Sequence, residues 1–523
     1  MRWRWWRTLE DADTTEALQL LEGLRAGGDR SESTAVALGL AYLVKAQVLD
    51  NRNDAGGPEA AAESAALLQP LATSPQPSVA ARRAYVETLV RLAFEQSNAN
   101  QFDDAVRSAH EAQRIAAELG ARDLSNIDMG AYYAEAGAWL VGALISQGHR
   151  EEARRAGEDS VALADQVLER RPGYRLALHA EQVILSGLAA AAREDLNPLG
   201  ALRPALRGEE VSLTLLKLDP NNVISMNNLG SARGDVGDSL WGAGRLHEAL
   251  VKYQQQRQDL ARATTGGPTF FLVLTYTSCG LAYRQAQIGD TAAATATLVS
   301  LAPYRAQLRR GEPPGSMAVA IVDSIGTICD AAVAFERDDM AAARRIAAEA
   351  IGQLQTAKPV GDIQIFQTNI SRYFGLHILG RASYELKDFT AAEHHEREAL
   401  KFRQAAGGEG VGDRRDTGEV STWIAMTLAR QGRPAEAAQT IAPVVKFQRE
   451  LAARNHGDRW QPLELAAALY AQALSEPDRS AALLREAATL LDALPAEIRG
   501  AYDARQWRGR VREAQLAGGR LRT

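Results

Sequence analysis

The sequence predicts an all-α chain, a stack of antiparallel helix pairs. Turn signals recur at a period of about 45 to 49 residues, the mark of a repeated supersecondary unit. Alanine is abundant, aromatic residues make up 6% and there are 18 prolines, a balance that favours helix because alanine loses no side-chain entropy on entering one. No alternating run of Val, Ile and Thr is long enough to build a sheet. At 523 residues the chain exceeds one compact core, so several domains or a repeat array are expected.

The pattern is clearest in residues 227–256. Val236, Gly237 and Leu240 fall on a first helix, Gly244, Arg245 and Leu246 make a turn, and Ala249 and Tyr253 fall on a second helix. From the start of the chain, residues 1–33 read as an N-terminal capping helix. Its apolar face is Leu9, Leu18, Leu21 and Leu24, with Asp13 or Thr14 as N-cap. Residues 34–494 read as the repeat array. Short turns begin near Asn100, Gly148, Gly244, Gly289, Asp338, Lys387 and Gly432. Each is followed by a small residue: Ala105, Ala153, Ala249, Ala294, Ala343, Ala392 and Ala437. The gap from Gly148 to Gly244 is double, and Asn197 with Pro198 marks the degenerate turn near its middle. A longer set of turns, rich in Gly and Pro, falls half a period away, as at Pro172, Pro220, Pro268 and Pro359. Proline removes a donor and glycine takes the left-handed cap, so both stop helices. Helices of about 20 residues remain between the turns. Residues 495–523 read as a C-terminal capping helix over 496–515 and a frayed tail.

The small and large positions repeat too. Leu379 and Gly380 precede Tyr384, Phe389 and Ala392; Leu281 and Ala282 precede Gly289, Ala294 and Leu298; Ile424 and Ala425 precede Leu428, Gly432 and Ala437. This spacing resembles the tetratricopeptide repeat (TPR), in a long-helix variant, since the family unit is 34 residues. The resemblance covers roughly residues 34–494. It implies a right-handed α-solenoid superhelix of about ten antiparallel helix pairs. Gly237, Ala282, Gly380 and Ala425 would let the partner helix approach, and Ala153, Ala249, Ala294, Ala392 and Ala437 would fill the crossing. Leu240, Leu428 and Tyr253 would fill the groove between repeats. No repeat of this kind buries its apolar face alone.

The net charge of −6 gives no reason to expect nucleic acid or an anionic membrane as partner. Cys279 and Cys329 lack metal spacing and read as buried free thiols, which fits a reducing, cytoplasmic setting. The most apolar run, residues 270–283, is too short to span a bilayer. The opening MRWRWWR lacks a signal-peptide core; Arg and Trp together suit either a membrane interface or a starting helix packed on the first repeat.

No catalytic residue, metal site or cofactor emerges. His394 and His395, beside Glu393, Glu396 and Glu398, point about 100 degrees apart on a helix and read as a solvated face. The glycines of residues 407–412 lack the Lys-Ser/Thr of a phosphate loop and read as a flexible inter-repeat loop. Asp235 with Asp238, and Glu151 with Glu152, read as helix-surface or first-turn charges.

Binding is the expected function. The resemblance implies a concave surface lined by first helices, and carrying its pattern over gives Arg91, Asn98, Asp238, Trp241, Tyr276, Tyr283, His377, Arg381, Tyr384, Trp423 and Arg430 as a groove for a peptide or protein. The family's Lys/Asn/Arg carboxylate clamp is missing; aromatics and arginines are the residues interfaces favour. Two other readings stay open. One is the ligand-sensing repeat region of a larger bacterial signalling protein, a kinase or transcription regulator. The other is an enzyme built as a closed helical toroid, whose sign would be a central pocket holding acidic or His residues. Poorly capped ends that stack into oligomers form a third class.

Overall fold

The computed structural model describes residues 11–51, 56–313, 315–355, 358–359, 362–408 and 410–517. All regular structure among them is helical. The chain divides into two compact units, Met1–Ala191 with Arg207–Pro220, and Ala192–Leu206 with Asn221–Thr523.

The first unit contains α1 (Asp11–Ala26), α2 (Glu32–Asn51), α3 (Gly57–Ala72), α4 (Val79–Asn98), α5 (Phe102–Glu118), α6 (Ile127–Ser146), α7 (Arg150–Arg170), most of α8 (Arg175–Glu194) and the second half of α9 (Pro198–Leu218). The second unit holds α10 (Val223–Gly242), α11 (Leu246–Ala263), α12 (Pro268–Gln287), α13 (Thr291–Val299), α14 (Ala302–Gly311), α15 (Met317–Phe335) and α16 (Met340–Gln355). It continues with α17 (Asp362–Glu385), α18 (Phe389–Ala405), α19 (Val411–Arg430), α20 (Pro434–Ala453), α21 (Gln461–Ser475), α22 (Ser480–Asp492), α23 (Ala496–Gly500) and α24 (Tyr502–Leu516). In each unit most helices pack on their successors, as α5 does on α6 and α17 on α18, and alternate helices also touch, as α4 does α6 and α19 does α21. That is the contact pattern of a helical-repeat array.

The turn period has a single backbone cause. Asn100, Gly148, Leu196, Gly244, Gly289, Asp338, Lys387 and Gly432 all take positive φ, between 55° and 91°. After each, the next amide donates to the carbonyl five residues earlier, as His149 does to Leu144 at 2.8 Å and Asp388 does to Ser383 at 2.9 Å. This left-handed closure ends the first helix at each of these eight turns. The degenerate turn at Asn197 has the same geometry, built on Leu196. Lys387 is exposed and gains nothing from its β-carbon there. Lys387→Gly should stabilise the protein by about 0.5–1 kcal/mol, read as a raised urea midpoint.

Residues one period apart become neighbours. Tyr174 donates to Asp128 at 2.9 Å across 46 residues, and Arg284 reaches Asp238 at 3.0 Å across another 46. The same register overturns the expectation for the cysteines. Cys279 on α12 and Cys329 on α15 are 50 residues apart, lie on successive first helices and form a disulfide with Cα atoms 5.5 Å apart. They are not free thiols, and they no longer argue for a reducing compartment.

Ala153, Ala249, Ala294, Ala392 and Ala437 are fully buried at helix crossings. Ala249→Leu should overpack its crossing and cost about 1–3 kcal/mol in thermal or urea unfolding. Tyr253 touches the next repeat, with the Arg284 guanidinium of α12 4.3 Å from its ring centre, and also packs within its own pair. It lies over its own partner helix, where a β-carbon on Gly237 would meet its ring at 2.6 Å, and its hydroxyl donates to Asp238 at 2.7 Å.

Other expectations change. The long helix foreseen after Gly289 is two short ones, α13 and α14, with Pro303 in the first turn of α14. Helix α1 already runs at Asp11, so Asp13 and Thr14 lie inside it and do not cap it, and Leu24 is exposed. The MRWRWWR opening and residues 518–523 lie outside the described residues. The most bilayer-like segment is α15, not residues 270–283; more than half of it is buried in the repeat core.

Candidate functional site

The inner face of the second unit is occupied by the chain's own helix α24. Helix α24 packs on α22, α23 and α21 and also touches α12, and it presents Asp503, Trp507 and Arg510 at helical spacing to side chains of α17 and α19. Asp503 accepts from Gln287 at 2.7 Å and Arg381 at 3.2 Å, with the Tyr283 hydroxyl at 3.4 Å. Trp507 sits 5.8 Å from Trp423 and 5.9 Å from Tyr470, ring centre to ring centre. Arg510 pairs with Glu385 beside the rings of Tyr384, Trp423 and Trp507. Tyr502 donates to Asp338 at 2.7 Å and meets Phe335 edge-on.

The second unit also closes on itself. The Arg459 amide donates to the Gly242 carbonyl at 2.8 Å, and the Trp460 indole donates to the Trp241 carbonyl at 2.9 Å while the two indoles stack at 5.4 Å. The amides of His456 and Asp458 reach the Leu196 carbonyl, Val411 donates to Glu194 at 2.7 Å, and Leu246 donates to Glu497 at 2.8 Å. Inside lies a cavity of about 340 Å³ bounded by α17, α19, α20, α21, α24 and the segment before α21.

A buried charge network stands behind its wall. His377 on α17 lies 2.7 Å from Glu396 through Nδ1 and 3.3 Å from Glu419 through Nε2. Gly380 makes room for this, since a β-carbon there would meet the Glu396 carboxyl at 2.6 Å. Burial alone pulls the His377 imidazole down, but the two carboxylates outweigh it and push it up to about 9. Burial pushes the Glu419 carboxyl up, and His377 with Arg381 outweighs that, holding it at about 2. Arg415 binds both Glu464 oxygens, at 2.8 and 2.9 Å, and Asp458 at 2.7 Å. Arg403 holds Asp413 and Asp416 and fastens the 407 carbonyl, so the glycine loop expected to be flexible is tied at its start.

Because the folded imidazole binds its proton more tightly than an unfolded one near 6.5, its stabilisation is complete below about pH 6.5. It disappears as pH rises through about 9. Stability should therefore fall by about 2–3 kcal/mol over that window, and His377→Gln should flatten the fall in a pH series of urea midpoints.

The expected groove residues divide. Arg91 and Asn98 belong to the first unit, where Arg91 pairs with Glu95 at 2.7 Å and covers the Phe94 ring, and Asn98 is exposed at the end of α4. The other nine belong to the second unit. Trp241 serves the closure, Asp238 accepts from Tyr253 and Arg284, and Tyr276 lies 3.5 Å from the Ser371 hydroxyl. Tyr283, His377, Arg381, Tyr384, Trp423 and Arg430 converge, with Arg430 donating to the Tyr384 hydroxyl at 3.3 Å. Of these, His377, Arg381, Tyr384 and Trp423 are buried, so the groove is filled where an open surface was expected.

The sequence reading missed Asp416, Glu419, Trp460, Glu464, Asp503 and Trp507, which line the cavity. Glu396 was assigned to a solvated face and is buried, because Gly380 opens a space opposite it. A signal was present: Asp416, Glu419 and Trp423 share one face of α19, as Asp503, Trp507 and Arg510 share one face of α24.

No family model matches the sequence, and no curated protein matches it. Among solved structures, one described as "Crystal Structure of Rap Protein Complexed with Competence and Sporulation Factor" aligns over 83% of this chain and 99% of its own, with 10% sequence identity and a TM-score of 0.36. A likeness at that level carries no residue-level argument.

Proposed function

We propose that the protein is an interaction scaffold, TPR-like in its helical pairs, that takes an amphipathic helix or peptide of a partner on the inner face of its second unit. The observation that supports this is α24 itself, an amphipathic helix held there by a carboxylate on Arg381, an indole on Trp423 and a guanidinium on Glu385. Tryptophan and arginine anchors in a desolvated setting are what helix-binding grooves use. A partner displaces α24 and uses the same contacts.

Catalysis is the weaker reading, although the closed unit has the acidic central pocket a toroidal enzyme needs. A general base works best with a pKa near the operating pH. Glu419 at about 2 is too weak a base, and His377 at about 9 stays protonated between two carboxylates. A sensor role within a larger signalling protein uses the same inner face and adds no residue to the argument.

The test uses a fluorescent peptide of residues 496–517 and the full chain as wild type and as Trp507→Ala. The peptide should bind the variant at least about tenfold more tightly, because its tethered competitor has lost its anchor. Failure to bind either chain rules out helix recognition on this face.

A further inference from the structure

We infer that the cavity beneath α24 binds an organic cation bearing a guanidinium or alkylammonium group. This goes beyond the partner reading and does not depend on it. The cavity volume, about 340 Å³, falls within the range of small-molecule sites. Two carboxylates face it from one side of α19. The Glu419 side chain is 51% accessible and lines the cavity. Its Oε1 faces His377 at 3.3 Å and Arg381 at 3.6 Å, and among the described residues no donor reaches Oε2. Asp416, one turn earlier, gives Oδ2 to Arg403 at 2.9 Å and keeps Oδ1 without a protein donor among the described residues.

The cations of the wall are already engaged. Arg415 is held by Glu464 and Asp458, Arg403 by Asp413 and Asp416, and Arg381 by Asp503 and Glu419. Of the charged side chains that line the cavity, two cations, Arg381 and Arg415, face four carboxylates, Asp416, Glu419, Glu464 and Asp503. A ligand that enters meets an unbalanced negative lining. It also meets Trp423, Trp460 and Trp507, brought from three separate elements to one cavity. Indole faces attract cations, and they do so more strongly where water is scarce. The carboxylates are spread along the wall, and among the described residues no group of three metal-ligating side chains is gathered, so the complement is an extended organic cation.

The test is calorimetric titration of the full chain with N-acetylarginine amide, with its uncharged isostere N-acetylcitrulline amide, and with agmatine. The structure calls for saturable binding of a guanidinium probe, no binding of the citrulline compound, and a loss of at least about tenfold in Glu419→Gln, the cost of one charge-assisted hydrogen bond. Asp416→Asn provides a second variant should Glu419→Gln unfold, and circular dichroism reports folding for both. Tighter binding of agmatine identifies a free small cation, and tighter binding of N-acetylarginine amide identifies a basic side chain of a peptide; either supports the site. No binding of either cation, equal binding of the citrulline compound, or undiminished binding in both folded variants overturns it.

Discussion

Glu396→Ala should lower the unfolding free energy by about 3–5 kcal/mol, the loss typical of removing one partner of a buried ion pair. The carboxylate is 1% exposed and lies 2.7 Å from His377 Nδ1. Without it the imidazolium keeps only Glu419, whose side chain is half accessible. A histidine in that setting gives up its proton more easily, so its pKa should fall from about 9 toward its ordinary value, visible by NMR. The double variant Glu396→Leu/His377→Leu should be less destabilised than Glu396→Ala, because no charge is then left unpaired. A loss below about 1 kcal/mol with an unmoved His377 titration would falsify the charged-pair description.

Trp507→Ala is the second large effect. The indole is 9% exposed and wedged against Trp423 and Tyr470. Truncating a buried tryptophan costs about 3–5 kcal/mol. In a repeat array such a loss need not spread, because stability is summed from neighbouring contacts. Amides of α24 should therefore exchange about 100-fold faster or more, while those of α6 in the first unit keep their protection. Equal loss of protection in both helices would show that α24 is part of the core and not a displaceable occupant.

Much of the architecture could be read in the residues. Gly148, Gly244, Gly289 and Gly432 announce left-handed closures, and the alanines five positions on announce the crossings. Leu196 hides the same closure, because its β-carbon conceals a backbone state usually signalled by glycine. The disulfide was hidden for another reason: a separation of 50 looks remote until the period turns it into adjacency. The site was legible only in part. Arg381 and Trp423 stood out as groove residues, but Asp416 and Glu419 sit in a charged stretch that reads as solvated helix. The destination of α24 is set by contacts such as Asp503 to Gln287, 216 residues apart, and no local periodicity encodes them.

The placement of α24 sets a threshold for any partner. It is joined to α22 through a short segment, so its local concentration at the inner face is about millimolar or higher and does not fall on dilution. A free helix competes against that fixed concentration, and its apparent affinity is reduced by the ratio of that concentration to the dissociation constant of α24 for the face. A partner that copies α24 residue for residue gains little at cellular abundance. An effective one must make contacts that α24 lacks, and the cavity beside Trp507 is where those contacts are available.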